Sequence, residues 1–143
     1  MKKIFENGLT TAISFAIFNI NDVDAATELR TLLAFTRWKH SKQYCRKRSF
    51  QEDADYMGVS KEQLSWFCKK HFGVTFLEYR KWLRVKESVR LIMNNPSMST
   101  RELMIRVGED DKSNFRKKFK SVTGCTPSEF KGIFGLSRFG RVR

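Results

Sequence analysis

Residues 58–79 read GVSKEQLSWFCKKHFGVTFLEY, and residues 109–130, which lie 51 positions later, read EDDKSNFRKKFKSVTGCTPSEF. In each copy a residue that can cap a helix precedes apolar residues and lysines at helical spacing, and a glycine then ends the helix. A Thr-x-x-Glu capping box starts the next helix, at Thr75 in the first copy and at Thr126 in the second. Two basic helices set between short turns predict a protein that binds one long, regular, negatively charged partner at two places. Duplex DNA is the candidate partner.

Positive charge is concentrated in the later part of the chain. The 143 residues carry a net charge of +13. Residues 1–36 contain three basic and four acidic side chains, which leaves a net charge of +14 on residues 37–143. Such a field attracts polyanions and speeds their encounter. Charge alone does not distinguish DNA from RNA or from an anionic membrane, and a solvated basic surface is the alternative interpretation.

Composition argues against several classes of protein. A chain of this length forms one domain or two very small ones that share a core. Three cysteines without a CxxC pair argue against a disulfide framework, and Cys68-x-x-His71 alone does not complete a zinc site. We expect Cys68 to be a core residue and both His40 and His71 to be structural. Because no nucleophile, metal-binding or paired-carboxylate pattern occurs, we predict a protein that is not an enzyme and uses no cofactor or metal.

The N-terminus resembles a secretory signal only loosely. Lys2 and Lys3 precede an apolar stretch over residues 12–20, but Glu6 interrupts the basic region and polar residues dilute the apolar one. The stretch is also too short to cross a bilayer. We therefore predict a cytoplasmic protein without a membrane segment.

Capping and helix-breaking residues recur along the chain, and the predicted fold class is all-α. Asn94-Asn95-Pro96-Ser97 marks a clear break between helices. The capping pattern predicts seven helices, near residues 24–44, 49–57, 60–72, 75–94, 99–107, 111–122 and 126–133.

The first predicted helix carries more large apolar residues than one face needs, namely Leu29, Leu32, Leu33, Phe35 and Trp38. We expect it to stabilise the domain or to pair two copies of the chain. Residues 1–48 are therefore predicted to be an N-terminal extension with one helix, and residues 49–134 the main domain. The basic tail over residues 135–143 is expected to be disordered.

Two of the predicted junctions are tight turns that contain glycine. Residues 57–60 read MGVS and residues 107–111 read VGEDD. Short turns of this kind suit a helix-turn-helix, whose second helix projects into a groove of the duplex. Two such units in one small chain, each followed by the same Gly-x-Thr-x-x-Glu-aromatic ending, make the signal strong.

Several short blocks between residues 49 and 131 share a known pattern: 54–60 (ADYMGVS), Leu64-Ser65, Phe67 to Gly73, Glu78-Tyr79, Leu83-Arg84, Leu91-Ile92, Val107-Gly108, Ser113-Asn114-Phe115, Phe119-Lys120 and 124–130 (GCTPSEF). This pattern resembles the DNA-binding domain of the AraC/XylS family of transcription regulators, with 124–130 as its most specific part. The resemblance implies two helix-turn-helix units joined by a long helix, with both recognition helices in successive major-groove segments. The predicted connecting helix has about 20 residues and a length of about 30 Å, close to the roughly 34 Å of one duplex turn.

The chain departs from the family pattern at two places. Glu109 stands where the family usually has an aromatic residue, and residues 110–111 are also acidic. Three acids would repel a phosphate backbone unless they cap the helix or face away, so the second unit is expected to bind more weakly. Cys68 replaces a bulky apolar residue and leaves volume for Trp66 or Phe72 to fill.

In the first recognition helix Leu64, Phe67 and Cys68 are expected to face the core. The resemblance places base reading on the outer face, where Glu62 could accept from a cytosine amino group and Trp66 could pack on a thymine methyl. Alternatively, Trp66 is a surface aromatic that covers the space beside Cys68. Lysines near the end of the helix are expected to bind phosphates. The predicted DNA-binding residues of this helix are Lys61, Glu62, Gln63, Ser65, Trp66, Lys69 and Lys70.

In the second recognition helix Phe115 and Phe119 are expected to face the core. Arg116 is the candidate to bind guanine O6 and N7, and the alternative is one more phosphate contact. The predicted DNA-binding residues here are Lys112, Ser113, Asn114, Arg116, Lys117 and Lys120.

The predicted function is that of a sequence-specific duplex-DNA-binding transcription regulator. RNA polymerase is a further candidate partner, and the chain is expected to be a monomer or a homodimer formed through its N-terminal helix. Residues 1–48 are too short for an effector-binding domain, so no effector is inferred. Two alternatives remain: a non-specific nucleic-acid binder with a degenerate second unit, and a protein-interaction module that acts through the N-terminal helix.

Overall fold

The computed structural model of the chain describes the backbone of residues 23–139 and the side chains of residues 24–134. Within these residues the secondary structure is all-helical, as the sequence predicted. The seven α-helices are α1 (Val23–His40), α2 (Phe50–Met57), α3 (Lys61–Phe72), α4 (Phe76–Asn94), α5 (Thr100–Arg106), α6 (Lys112–Thr123) and α7 (Pro127–Phe139), and a short 3₁₀ helix spans Gln43–Cys45. The apolar stretch over residues 12–20 and the last four residues, 140–143, lie outside the described part of the chain.

The predicted capping residues begin the helices. Ser49, Ser60 and Ser99 each accept a hydrogen bond from the backbone N–H three residues later, and Asp111 does the same at the start of α6. Capping is reciprocal at Ser49 and at Thr126, where the glutamate three residues on accepts from the backbone N–H of the cap. The caps therefore confirm the helix starts that the sequence predicted.

Two helix ends differ from the prediction. α1 ends at His40 instead of residue 44, because Lys42 adopts a left-handed conformation with φ of 55°, which stops a right-handed helix. α7 continues to Phe139, although the sequence predicted its end near residue 133 and a disordered tail from residue 135. Glycine disfavours a helix by only about 1 kcal/mol relative to alanine, so Gly132 and Gly135 do not end α7.

The chain divides into two compact units. The described residues of the first unit are 23–43 and 48–79, and those of the second are 44–47 and 80–139. Each unit contains one of the two predicted helix-turn-helix pairs, α2–α3 in the first and α5–α6 in the second.

An aromatic cluster fills the core of the first unit. The ring of Phe35 in α1 lies 5.3–5.6 Å from four other rings, those of Trp38, Phe67, Phe72 and Tyr79. Leu32, Phe35 and Trp38 are buried, whereas Leu33 is 45% exposed. α1 is therefore part of this core, and its predicted role in pairing two copies stays a prediction.

Two polar groups of the first-unit core bear on the sequence predictions. Cys68 is fully buried, as predicted, and burial raises the pKa of its thiol to about 12. Asp53 is also fully buried, accepts a hydrogen bond of 2.9 Å from the indole N–H of Trp38 and lies 3.6 Å from Arg48. Because a buried carboxylate without donors is strongly unfavourable, these partners allow Asp53 to remain in the core.

The core of the second unit is aliphatic with two central phenylalanines, Phe115 and Phe119 of α6. Around them pack Val85, Leu91, Ile92, Met98, Leu103, Met104 and Val107. Lys131 of α7 donates to the carbonyl of Met98 and to the hydroxyl of Thr100, at 3.0 and 3.2 Å. These bonds join α7 to the start of α5, and burial lowers the pKa of Lys131.

The glycine in the turn before α6 is required for two reasons. Gly108 has a φ of 85°, a conformation that favours glycine, and a Cβ added to it would lie 2.7 Å from the carbonyl oxygen of Cys45. The corresponding turn of the first unit contains Gly58 with a φ of 72°, but a Cβ there would meet open space. Segment 44–47 therefore lies directly against the second turn.

The packing of α1 leads to a prediction about the stability of the first unit. Replacing Phe35 with alanine is expected to lower the free energy of unfolding by about 3–5 kcal/mol, because the cavity would lie inside the aromatic cluster. Leu33→Ala, on the exposed side of the same helix, should change it by less than about 1 kcal/mol. Urea unfolding of the full chain measures both values, and equal losses would contradict the packing of α1.

Candidate nucleic-acid interface

The outer face of α3 presents a stripe of polar and aromatic side chains. Glu62, Trp66 and Lys69 are exposed and follow one another at i, i+4 and i+7, so they lie on one side of the helix. Trp66 is 50% exposed, a large fraction for an indole on an ordered helix. The inner face is fully buried and consists of Leu64, Phe67 and Cys68, which confirms the predicted orientation of the helix.

Three other predicted residues of α3 lie at the edge of this stripe. Lys61, Gln63 and Ser65 are half-buried. The Lys61 ammonium lies 5.0 Å from the centre of the Phe50 ring, and the backbone N–H of Gln63 donates to the cap Ser60. These positions keep part of each side chain accessible beside the exposed stripe.

Lys70, which was predicted to bind phosphate, contacts a buried acid within the first unit. Its ammonium lies 3.0 Å from the carboxylate of Glu28 in α1, and Glu28 is only 4% exposed. The neighbouring His71 places its Nε2 at 2.7 Å from the same carboxylate. The sequence predicted that His71 is structural. It did not predict that the partner of His71 is Glu28, which lies 43 residues earlier in the chain.

The outer face of α6 is polar and carries four exposed cations. Its predicted DNA-binding residues are all exposed: Lys112, Ser113, Asn114, Arg116, Lys117 and Lys120. The predicted inner residues Phe115 and Phe119 are buried. The helix therefore separates an aromatic inner face from a cationic outer face.

The three acids before α6 each have a partner inside the second unit. Glu109 is 9% exposed and accepts from Arg84 at 3.1 Å and from Lys118 at 3.2 Å. Asp110 forms an exposed ion pair of 3.1 Å with Lys47, which lowers the pKa of the aspartate. Asp111 caps α6 through the backbone N–H of Asn114. Glu109 therefore serves as an internal counter-ion and Asp111 as a helix cap, while the weaker DNA binding expected of the second unit stays a prediction.

Arg84 attaches three segments of the second unit to one another. Besides Glu109, its guanidinium donates to the carbonyl of Tyr44 at 2.6 Å and to the carbonyl of Arg46 at 2.9 Å. Arg84 itself is 5% exposed, so its charge depends on these partners. The turn before α6 is held by α4 through this network.

Sequence reasoning missed the burial of Glu28 and of Glu109, although the sequence around Glu28 contains a signal. Glu28 shares a helical stripe with Leu32 and Phe35, at i, i+4 and i+7. An acid in an otherwise buried stripe indicates a buried ion pair. Glu109 has no such local signal, because its partner Arg84 lies 25 residues earlier.

Within residues 23–139 there is no helix both long and apolar enough to cross a membrane.

Comparison with known proteins identifies the family. The helix-turn-helix domain family matches residues 54–132, which is more than half of the chain. The chain belongs to the AraC-type helix-turn-helix family. Proteins of this family are DNA-binding transcription regulators.

The similarity to curated AraC-type regulators is confined to part of their length. The chain is 26% identical over 91 residues to the uncharacterized HTH-type transcriptional regulator YpdC of Escherichia coli, covering 64% of the chain and 32% of that protein. It is 30% identical over 78 residues to the arabinose operon regulatory protein of Escherichia coli, covering 54% of the chain and 26% of that protein. The chain thus spans a third or less of the length of these relatives.

A solved structure shares the fold. The C-terminal domain of AraT, a response regulator from Geobacillus stearothermophilus, superposes with a TM-score of 0.64 at 20% identity. The match covers 77% of the chain and 93% of that domain, so the shared fold extends beyond residues 54–132.

The Glu109 network makes a prediction for the second unit. Glu109→Gln should lower the free energy of unfolding by about 3 kcal/mol, because it leaves the buried guanidinium of Arg84 without its counter-charge. Asp110→Asn removes the same charge one residue later, but from an exposed pair that water screens, and should have a much smaller effect. Thermal or urea unfolding of the two variants tests this, and similar losses would rule out a special role for Glu109.

Proposed function

We propose that the chain is a sequence-specific regulator of transcription that binds duplex DNA by placing α3 and α6 in successive segments of the major groove. One observation supports this most strongly. In each helix-turn-helix pair the second helix buries an apolar inner face and exposes a polar or cationic outer face. Membership of the AraC-type family supports the same reading of these two helices.

The chemistry of the exposed side chains indicates which of them contact bases and which contact phosphates. On α3, Glu62 is assigned to a cytosine amino group and Trp66 to a thymine methyl group. On α6, Arg116 is assigned to the O6 and N7 acceptors of a guanine. Lys69, Lys112, Lys117 and Lys120 are assigned to phosphates, where they hold the protein on the duplex without reading sequence.

Selection of binding sites from random duplex DNA with the full chain tests the proposal. The selected duplex and a scrambled duplex of equal length and composition are then compared by affinity at one salt concentration. Preference for the selected duplex is the expected result. Equal affinity for both would overturn the proposal and favour a non-specific nucleic-acid binder.

RNA polymerase and a second copy of the chain are further proposed partners. Regulation of transcription would bring the chain to the polymerase, and the exposed side of α1, which includes Leu33, offers a surface for a homodimer. Sedimentation of the full chain alone, with duplex DNA and with polymerase added tests both. In a bacterial cell, such as those of the relatives, this function would be carried out in the cytoplasm.

The two lysines at the end of α3 should differ in how they contribute to DNA binding. Lys69→Met is expected to make the slope of log affinity against log salt shallower by about 1, because one phosphate contact is lost. Lys70→Met should change the slope much less, because Glu28 already binds that ammonium. Lys117→Met and Lys118→Met form the same comparison in α6, where Lys118 is bound by Glu109. Titrations on scrambled duplex at several salt concentrations measure the slopes, and equal changes within each pair would contradict the assignment.

DNA binding should change differently when the proposed base-contacting side chains of the two recognition helices, Trp66 and Arg116, are truncated. Trp66→Ala is expected to relax sequence preference while affinity for scrambled duplex stays nearly the same, because the indole carries no charge. Arg116→Ala should weaken binding to the selected duplex by roughly 1–3 kcal/mol if the guanidinium reads guanine. Affinities of both variants for selected and scrambled duplex decide this. If Arg116→Ala weakens both duplexes equally, α6 contacts only the backbone.

A further inference from the structure

The exposed indole of Trp66 is in contact with a cation one turn further along α3. The ammonium of Lys70 lies over the ring, 4.8 Å from its centre. A cation in this position is attracted by the electrons of the indole face. The contact therefore favours one orientation of a side chain that would otherwise exchange among several rotamers at the surface.

Lys70 is itself fixed from the other side, by a helix that precedes the helix-turn-helix. The two carboxylate oxygens of Glu28 in α1 lie 3.0 and 3.1 Å from its ammonium. The carboxylate also contacts His71 at 2.7 Å, and with only 4% exposure it has little access to water. If Lys70 turned away towards solvent or a phosphate, this buried charge would lose a partner, which is strongly unfavourable. Glu28 therefore restricts where the ammonium of Lys70 can be.

We propose that Glu28 is a positioning residue for sequence recognition: through Lys70 it holds the indole of Trp66 in the orientation in which it meets a base. The inference rests on the proposed function. It adds a residue of α1, which lies outside the two helix-turn-helix pairs, to the residues that determine sequence preference. A side chain that is already ordered loses less conformational freedom on binding. Glu28 thus affects the discrimination between bases without touching DNA.

The test measures the ratio of affinities for selected and scrambled duplex in variants of the full chain. Glu28→Gln keeps the size of the side chain and removes its charge. It should reduce the ratio about twofold to fivefold, the range expected from loss of an exposed cation–π contact. Site selection with this variant should show relaxed preference at the same base pairs as selection with Trp66→Ala. Preference at base pairs assigned to α6 should be unchanged.

A double variant separates positioning from a merely structural role. In the background of Trp66→Ala, Glu28→Gln should cause no further loss of the ratio, because the group on which it acts is gone. Additive losses, or an equal drop on both duplexes, would overturn the proposal. Asp55→Asn is the matched control, since it removes an acidic charge from an exposed position on α2 of the same unit, and it should leave the ratio unchanged.

Lys70→Met provides a second route if Glu28→Gln destabilises the first unit. This variant leaves the sequence of α1 unchanged, although it also removes one partner of Glu28, and it should reproduce the relaxed preference at the base pairs affected by Trp66→Ala. If the wild-type chain prefers the selected duplex but both variants keep that preference, the positioning role fails and the proposed function stands. If the wild-type chain shows no preference at all, the proposed function fails and this inference fails with it.

Discussion

A buried glutamate attaches each recognition helix to the rest of its own unit. In the first unit Glu28 binds two consecutive residues near the end of α3, and in the second Glu109 binds Lys118 of α6 together with Arg84 of α4. A carboxylate with so little access to water must keep its cationic partners. These contacts therefore constrain the position of both helices, while the apolar residues on their inner faces supply most of the burial.

The ion pairs of Lys70 and Lys118 affect how the net positive charge of the chain should be interpreted. Lys70 and Lys118 count towards the net charge of the chain, yet both ammonium groups are bound by carboxylates. These two ammonium groups are thus less available to a polyanion than Lys69 of α3 and the exposed cations of α6. A buried ion pair adds little net stability compared with apolar packing, and its more general effect is to define geometry.

Much of the fold could be predicted from the sequence because its signals are local. A cap such as Ser49 and the helix that it begins lie within one turn of each other, and the inner residues Leu64 and Phe67 repeat at helical spacing. The partners of the acids could not be predicted, because Arg84 and Glu109 meet only after the chain has folded. Glu109 was consequently interpreted as a source of repulsion, although the structure makes it an internal counter-ion. The ends of α1 and α7 were also missed, since a left-handed Lys42 has no sequence signature and a helix can continue through glycine.

The two turns before the recognition helices tolerate change to different degrees. At Gly58 only the left-handed backbone conformation opposes substitution, and asparagine or aspartate can adopt that conformation at modest cost. At Gly108 any side chain would also collide with the carbonyls of Cys45 and Arg46. Every substitution there therefore meets this steric clash, whichever residue is chosen. A designer who wishes to lengthen a turn, attach a reporter group or exchange one reading module for another would therefore begin with the first unit. The second turn would have to be redesigned together with segment 44–47.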